Sequence, residues 1–193
     1  HKNAYRNVSK TVTAFDPTAY MPMLETAEVV SQRYNISRQE QDIYSLQSQQ
    51  RTAAAQVAGL FDAEIVPMNT IRAEFNKETK ETTYEDAVVD RDDCNRPSTT
   101  LESLMALEPV FKDGQWVKEG KFITAGNSSQ LSDGASACVL IEARLAAQKG
   151  LAPLGIYRGL AVAGCKSDEM GIGPVFAVPK LLQRHGLRVS DID

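Results

Sequence analysis

Residues 137–164, ACVLIEARLAAQKGLAPLGIYRGLAVAG, contain the pattern that decides the fold class. The apolar run at 137–142 predicts a buried strand, residues 143–150 predict a short helix ended by glycine, and residues 154–164 predict a longer strand. Further on, MGIGPVFAVPKLLQRHG (170–186) predicts a glycine turn and then a helix that ends at its last glycine. Because strands that alternate with helices form layered folds, we predict an α/β fold.

Two amphipathic helices are predicted in the first third of the chain. Residues 22–34, PMLETAEVVSQRY, have apolar side chains at helical spacing, and Asn35 is a suitable stop. The apolar positions on this face are Met23, Ala27, Val30 and Tyr34. Ser37 and Glu40 then form a capping box that opens a longer helix. Its apolar stripe consists of Ile43, Leu46, Ala53, Val57 and Leu60. We predict that the two helices pack as an αα-hairpin.

A small β element and a short helix are predicted next. AEIVPM (63–68) and YEDAVVD (84–90) are typical of short strands, and the charged stretch NKETKETTYED is typical of a solvated connection. Within RPSTTLESLMALE (96–108), Thr99 and Glu102 predict a capping box before a one-face apolar pattern. The first part of the chain is therefore expected to contain helices and a small sheet.

The composition excludes several classes of function. The chain has 193 residues, of which 42% are hydrophobic and 24% charged, which is ordinary for a globular protein with a sizeable core. The net charge of -4 argues against a broad nucleic-acid-binding face. No stretch approaches the ~18 continuous apolar residues of a membrane span, and the first residues lack the apolar core of a signal peptide. We therefore expect a soluble protein that binds neither nucleic acid nor membrane. The odd number of widely separated cysteines fits a reducing compartment.

The cysteines and histidines are poor candidates for catalysis. Cys94, Cys138 and Cys165 are far apart and form no C-x-x-C pair, so they predict neither a disulfide framework nor a zinc site. Cys138 lies in a predicted buried strand, where a free cysteine behaves as a small hydrophobe. His185 precedes a helix-ending glycine, where a cation is favourable, and His1 is terminal. We predict no catalytic group and no metal ligand among them.

The stretch FITAGNSSQLSDGASA, residues 122–137, has the composition of a ligand-binding loop. Ala125 and Gly126 expose backbone, and Ser128 and Ser129 supply hydroxyl groups where a helix could begin. Backbone amides there could meet a phosphate or an amide arm joined to a thioester. The same residues also suit a strand-to-helix corner with an Asx or Ser cap, and the pattern alone leaves both interpretations open.

Three weaker signals accompany this stretch. FKDGQWVKEGKF (111–122) has Asp-Gly and Glu-Gly pairs, which predict a hairpin-like excursion leading into it. Gly171 and Gly173 permit a close approach of backbone or substrate, although the segment matches neither a Walker loop nor a dinucleotide fingerprint. Arg96, in an acidic segment, suits either a surface salt bridge or a contact with phosphate or adenine.

Together these stretches resemble the thiolases, a family that includes acetyl-CoA C-acyltransferases and 3-ketoacyl-CoA thiolases. The similar segments are MLETAEVV, ISRQEQDIYSLQSQQRTAAAQ, EIVP, RPSTTLESLMAL, ITAGNSSQLSDGASA and MGIGPVFAVPKLL. They occur in the order and approximate spacing of that family over nearly all of residues 20–190. Each piece alone is weak, but the combination is highly specific, and it implies that this chain is the central portion of a thiolase.

The resemblance implies a layered αβαβα fold of which the chain holds three parts. Residues 1–120 would form the loop domain, with the helical hairpin and the small β element. Residues 121–150 would end the N-terminal αβα half, and residues 151–193 would begin the C-terminal half. The shift near residue 120 from a Gln- and charge-rich sequence to a Gly- and Ala-rich one is consistent with the first boundary.

The chemistry that the resemblance implies is acyl transfer between coenzyme A thioesters, which cleaves or forms 3-oxoacyl-CoA through a cysteine thioester. The family's nucleophilic cysteine would lie before His1, and its Asn-Glu-Ala-Phe, Gly-His-Pro and second-cysteine motifs after Asp193. The chain alone is therefore expected to be inactive and to contribute coenzyme A binding. The matching positions are Ser129 and Ala125 at the pantetheine arm, Arg96 and Ser103 at the adenine and phosphate end, and Met23 and Met170 near the thioester.

The family also implies the partners of the protein. Coenzyme A and acyl-CoA would be its substrates, with no permanently bound cofactor, and the protein would be a homodimer or homotetramer of fatty-acid metabolism in the cytoplasm or an organellar matrix. Pro22-Met23-Leu24 replaces the His-Met-Gly of many biosynthetic members, so the acyl-chain length and the direction of flux stay open. The alternative function is a non-catalytic, thiolase-like protein that binds acyl-CoA or lipid.

Overall fold

The computed structural model describes residues 8–192, so His1 and Asp193 lie outside the described part of the chain. The described residues form two compact units. The first unit contains residues 8–36, 109–123 and 129–192, and the second contains residues 37–108 and 124–128. The domain limits near residues 120 and 150, and the packing of the two predicted helices as a hairpin, stay predictions.

The described residues contain six α-helices, two strands and two 3-10 helices. They are α1 (Lys10–Phe15), α2 (Met23–Arg33), α3 (Arg38–Val57), β1 (Met68–Phe75), β2 (Thr82–Val89), α4 (Leu101–Met105), α5 (Ala143–Gln148), a 3-10 helix (Ser167–Ile172), α6 (Gly173–His185) and a second 3-10 helix (Val189–Asp191). The helices predicted from apolar spacing and caps are thus confirmed. Asn35 and Gly186 follow α2 and α6 with φ of 54° and 63°, as expected for left-handed helix stops.

The buried face of α2, in the first unit, is polar, which is the opposite of the prediction. The buried residues of this helix are Glu25, Thr26, Glu28 and Ser31. On the predicted apolar face, Met23 is 73% exposed and Tyr34 is also exposed. The reason is that backbone N–H groups of residues 110–123 point at this helix, and carboxylates can accept them whereas apolar side chains cannot.

Residues 110–123 form the predicted hairpin-like excursion, which we call the 110–123 hairpin. Its backbone hydrogen bonds run from Val110 N to Ile123 O (2.9 Å), from Gly120 N to Phe111 O (2.9 Å) and from Gly114 N to Val117 O (3.0 Å). Phe111 and Ile123 are buried and supply its apolar core. The excursion is therefore a folded element of the first unit.

The second unit contains α3, α4 and an antiparallel pair of strands. β1 and β2 pair from Met68 opposite Val89 to Phe75 opposite Thr82. The predicted strand at 63–68 is wrong, because β1 begins only at its last residue, after Pro67, whose nitrogen cannot donate a hydrogen bond. The strand predicted at 84–90 is confirmed as part of β2.

Two details of the helices in the second unit also differ from the predictions. The capping box of α4 is formed by Thr100 and Ser103, one residue beyond the predicted Thr99 and Glu102. The apolar stripe predicted for α3 is only partly covered: Leu46 and Ala53 are half-buried, whereas Ile43, Val57 and, beyond the helix end, Leu60 are exposed. The buried residue of the helix is Asp42. The capping box predicted at the start of α3 is confirmed.

The two strands predicted at 137–142 and 154–164 are wrong in this structure. Within residues 8–192, β1 and β2 form the described sheet, and no other segment pairs with these two stretches. A strand needs a neighbour for its backbone hydrogen bonds, and without one its apolar side chains stay in solvent. Val139 is 90% exposed, and Leu154 is fully exposed. Cys138, predicted to be buried, is exposed for the same reason.

Candidate functional site

The loop at residues 124–128, in the second unit, is held by its own polar side chains. Asn127 Oδ1 accepts the backbone N–H of Thr124 at 2.8 Å, and Thr124 Oγ1 accepts that of Gly126 at 3.2 Å. Ser128 Oγ donates to the carbonyl oxygen of Thr124. These bonds are those of a capped corner, so the hydroxyl group of Ser128 is engaged within the loop.

A buried ion pair on α3 anchors this loop. Asp42 is fully buried, and Arg38 Nε lies 2.8 Å from its Oδ2. The Asn127 side-chain amide donates to Asp42 Oδ1 at 3.3 Å, while Arg38 Nη2 donates to the carbonyl oxygens of Leu104 (2.6 Å) and Leu107 (3.0 Å). One Arg–Asp pair thus links α3, the end of α4 and the 124–128 loop.

Gly126 serves packing within the second unit. A Cβ atom added there would lie 2.5 Å from Leu104 Cδ2 and 2.7 Å from Leu107 Cδ1. The glycine therefore lets the loop approach α4 and the residues after it, which corrects the expectation that its backbone is open to a ligand. Ala125 is exposed beside it.

The other two candidate residues of the second unit are Ser103 and Arg96. Ser103, in the first turn of α4, donates from Oγ to Thr100 O at 2.8 Å and is exposed. Arg96 is exposed, and its backbone N–H donates to Gln49 Oε1 at 2.8 Å. Since the loop packs on α4, the structure brings Ala125 and Ser103 onto neighbouring elements.

The first unit contains Ser129, Met23 and Met170. Ser129 is exposed, and its hydroxyl donates to Gln130 O at 3.1 Å. Met23 is the first residue of α2, and Met170 lies in the 3-10 helix Ser167–Ile172, which packs against α2. Both methionines are exposed, at 73% and 47%, so their apolar side chains are available for a ligand.

A cluster of charged groups joins α2 to the 3-10 helix, and we call it the Arg33 clasp. Arg33 Nη2 lies 2.5 Å from Asp168 Oδ2, and Nη1 lies 2.5 Å from Glu169 Oε2. The hydroxyl group of Tyr34 donates to Glu169 Oε2 at 2.9 Å. Ser167 Oγ donates to Asp16 Oδ2, which ties the start of the 3-10 helix to the segment before α2.

The clasp shifts the acidities of its members. Hydrogen bonds from Arg33 lower the pKa of both Asp168 and Glu169, and the carboxylates raise the pKa of Arg33. The hydrogen bond to Glu169 raises the pKa of Tyr34. The charged forms of the acids are thus favoured at neutral pH.

Sequence analysis missed the buried carboxylates and the clasp. Glu25 Oε1 accepts the N–H groups of Trp116 and Val117, and Glu28 accepts those of residues 121–123. Glu25 and Glu28 lie three residues apart in the sequence, and this spacing indicates that both carboxylates lie on one face of α2. Nothing in their spacing identifies which backbone groups they meet.

The described residues contain few other groups with a chemical role. No described helix could cross a membrane, and no described cluster of three or more His, Cys, Asp or Glu side chains could hold a metal ion. All three cysteines are exposed, and Cys165 Sγ lies 3.9 Å from Glu169 O. The chain thus presents an anchored polar loop with exposed serine and methionine side chains.

Comparison with known proteins identifies the family. Residues 3–144 match the family described as "Thiolase, N-terminal domain", and residues 151–193 match "Thiolase, C-terminal domain". Rat peroxisomal 3-ketoacyl-CoA thiolase B is 47% identical over 173 residues, which cover 90% of this chain and 38% of that protein.

Solved structures show the same relationship. The acetyl-CoA acetyltransferase of Bacillus anthracis is 34% identical with a TM-score of 0.73, and the match covers 97% of this chain and 44% of that one. Human mitochondrial 3-ketoacyl-CoA thiolase is 37% identical with a TM-score of 0.69 over 92% of this chain and 41% of that one. The chain thus spans well under half the length of these relatives and has part of the thiolase α/β fold, as predicted. With most of its residues matched by the two domain families, the chain belongs to the thiolase family.

Proposed function

We propose that the protein containing this chain is an acetyl-CoA C-acyltransferase that transfers an acetyl or acyl group between coenzyme A thioesters. It would cleave or form 3-oxoacyl-CoA through a cysteine thioester. The observation that carries the proposal is the anchored 124–128 loop, which is followed at once by the exposed Ser129. Similarity to rat 3-ketoacyl-CoA thiolase B supports the reaction class.

The role of this chain in the reaction is to bind coenzyme A. Ser129 and Ala125 are assigned to the pantetheine arm, because the arm carries amides that a hydroxyl group and open backbone can bond. Arg96 and Ser103 are assigned to the adenine and phosphate end, where a guanidinium group suits phosphate oxygens. The assignment is supported by the exposure of all four residues.

Met23 and Met170 are assigned to apolar contacts near the thioester sulfur, at the end of the pantetheine arm. An unbranched, polarizable side chain adapts to ligands of different shape. The nucleophilic cysteine and the second, acid–base cysteine of the family's chemistry are assigned to positions outside residues 1–193. None of the three cysteines in the chain is assigned a catalytic role.

The wider setting is assigned by resemblance to the thiolases. The substrates are coenzyme A and acyl-CoA, no resident cofactor is involved, and the protein forms homodimers or homotetramers. The rat relative is named as peroxisomal and the human structure as mitochondrial. We assign the protein to the cytoplasm or, in a eukaryotic cell, to an organellar matrix, where it serves fatty-acid metabolism.

The test is thiolysis by the full-length protein. A 3-oxoacyl-CoA and free coenzyme A are supplied, and the formation of acetyl-CoA is measured by chromatography. The expected result is turnover that depends on both substrates. Binding of coenzyme A without turnover would contradict the proposed acyltransferase activity and would favour the alternative, a non-catalytic protein that binds acyl-CoA.

A further inference from the structure

We propose that Arg33 is a positioning residue for coenzyme A: through its pairs with Asp168 and Glu169, it holds the segment at residues 167–172 in the conformation that presents Met170. The inference rests on the proposed function, because Met170 is assigned there to the thioester end of coenzyme A. All the residues involved lie in the first unit.

Outside the clasp, the 167–172 segment is held by its packing against α2 and by the bond from Ser167 Oγ to Asp16 Oδ2 at its start. None of its six residues is buried, and a Cβ atom added at Gly171 would meet nothing within 4 Å. Glu169 departs from helical geometry, with φ of -131° and ψ of 28°, so the helix is kinked one residue before Met170. A short, kinked 3-10 helix without a buried apolar side chain depends on side-chain bonds for its position.

The side-chain bonds of the Arg33 clasp lie at the kink, on Asp168 and Glu169. Arg33 reaches both carboxylates at 2.5 Å, and Tyr34 adds a third bond to Glu169 at 2.9 Å. The bonds from Arg33 and Tyr34 to Glu169 hold the residue that directly precedes Met170. The planar guanidinium group presents its donors in a rigid fork and can hold two carboxylates in a fixed relation, whereas an ammonium group is a point charge on a flexible stem.

The clasp also differs from the exposed ion pairs of the described residues and, like the Arg38–Asp42 pair, has carboxylates that are largely covered. The side chains of Asp168 and Glu169 are only 19% and 13% exposed, whereas Arg72 and Glu85 are 55% and 58% exposed and lie 3.5 Å apart. Exposed pairs contribute little because water screens them. Loss of the clasp should therefore move the segment that it holds, and the exposed Arg72–Glu85 pair is a matched control.

The experiment uses the full-length protein with the variants Arg33→Met, Arg33→Lys, Tyr34→Phe and the control Arg72→Met. Three quantities are measured: hydrogen exchange of the amides at 167–172, the KM for coenzyme A with kcat in thiolysis, and the midpoint temperature. The midpoint temperature shows whether a variant is folded.

For Arg33→Met we expect exchange at 167–172 to accelerate at least about tenfold and the KM for coenzyme A to rise about three- to tenfold, with kcat within about twofold of wild type. Arg33→Lys should be intermediate, Tyr34→Phe should have a smaller effect, and Arg72→Met should match wild type. Full recovery of exchange protection by Arg33→Lys would also contradict the two-carboxylate geometry.

Two further outcomes would overturn the inference. One is an unchanged KM for coenzyme A in Arg33→Met, whether or not exchange accelerates. The other is an equal effect of Arg72→Met, which would make the change a general loss of surface charge. Failure of the proposed function is seen separately, as an absence of thiolysis in the wild-type protein.

Discussion

Two stretches of the first unit, the 110–123 hairpin and the residues of 129–165 on either side of α5, differ in how their backbone groups are satisfied. The hairpin closes on itself and donates five further N–H groups to Glu25 and Glu28. The longer stretch contains the strands predicted at 137–142 and 154–164, yet neither has a strand partner among the described residues. Its large side chains, such as those of Val139 and Leu154, lie in solvent.

The difference shows what a non-helical segment needs in order to fold. Backbone N–H and C=O groups must find partners, and a segment without a sheet neighbour takes them from side chains or from water. The hairpin has buried carboxylates as acceptors. In the second predicted strand of the longer stretch, Lys180 and Arg184 of α6 donate to the carbonyl oxygens of Val162 (3.0 Å) and Leu160 (2.8 Å).

The largest effect is expected from Glu28→Ala. The substitution leaves the N–H groups of residues 121–123 without their acceptor in a buried place, so the free energy of unfolding should fall by about 3 kcal/mol. Urea unfolding of the full-length protein measures it. Glu78→Ala, at an exposed turn, is the control and should change stability by less than about 0.5 kcal/mol. Equal losses would show that the carboxylate of Glu28 does not hold the hairpin.

The next effect is expected from a pair of glycine substitutions, one in each stretch. A Cβ atom at position 114 would lie 2.5 Å from both Glu25 Oε1 and Val117 O, and the backbone oxygen cannot move aside. Gly114→Ala should therefore cost about 2 kcal/mol. Gly134→Ala meets nothing within 4 Å and should be neutral. Urea midpoints measure both, and a neutral Gly114→Ala would show that the hairpin is looser than described.

A smaller effect is expected in the pH dependence of the Arg33 clasp. Because the pKa values of Asp168 and Glu169 are lowered in the folded protein, their stabilising contribution is complete above the ordinary carboxyl pKa of about 4. It is lost as the pH falls through the lowered values. The midpoint temperature of Arg33→Met should therefore be slightly below that of wild type at pH 7 and should converge with it below about pH 4. A constant difference across this range would contradict the ion pairs.

The smallest effect is expected in the unpaired stretch. Leu154 is fully exposed, so Leu154→Ser should change the stability of the 193-residue chain by less than about 0.5 kcal/mol. Chemical denaturation followed by circular dichroism measures the change. A loss of several times that size would mean that the side chain of Leu154 is covered in solution.

The elements that could be predicted from the sequence are those whose backbone groups find partners nearby in the chain. α2, α3 and α6 were predictable because a helix makes its hydrogen bonds within itself and shows its limits in local caps, such as Ser37 with Glu40. The strands at 137–142 and 154–164 were not, because pairing depends on distant segments. The polar face of α2 was missed for a related reason, since apolar spacing does not show which backbone groups a carboxylate will meet.

The candidate site was predictable only as composition. The small residues at 124–129 indicated a special loop, but Gly126 proved to serve packing against Leu104 rather than to open backbone. The role of Asp42 as the anchor of Asn127 depends on a contact across 85 positions of sequence. The coenzyme A residues themselves stay a proposal that rests on resemblance and exposure.

The most direct test of the account is a hydrogen-exchange footprint of coenzyme A on the full-length protein. We predict slower exchange on binding in the amides of residues 124–130, in those of 96–103 and in those next to Met170. The 110–123 hairpin should be unchanged, because it is already closed by its own bonds and by Glu25 and Glu28. Binding of coenzyme A that leaves all three segments unprotected would contradict the claim that this chain supplies the coenzyme A site.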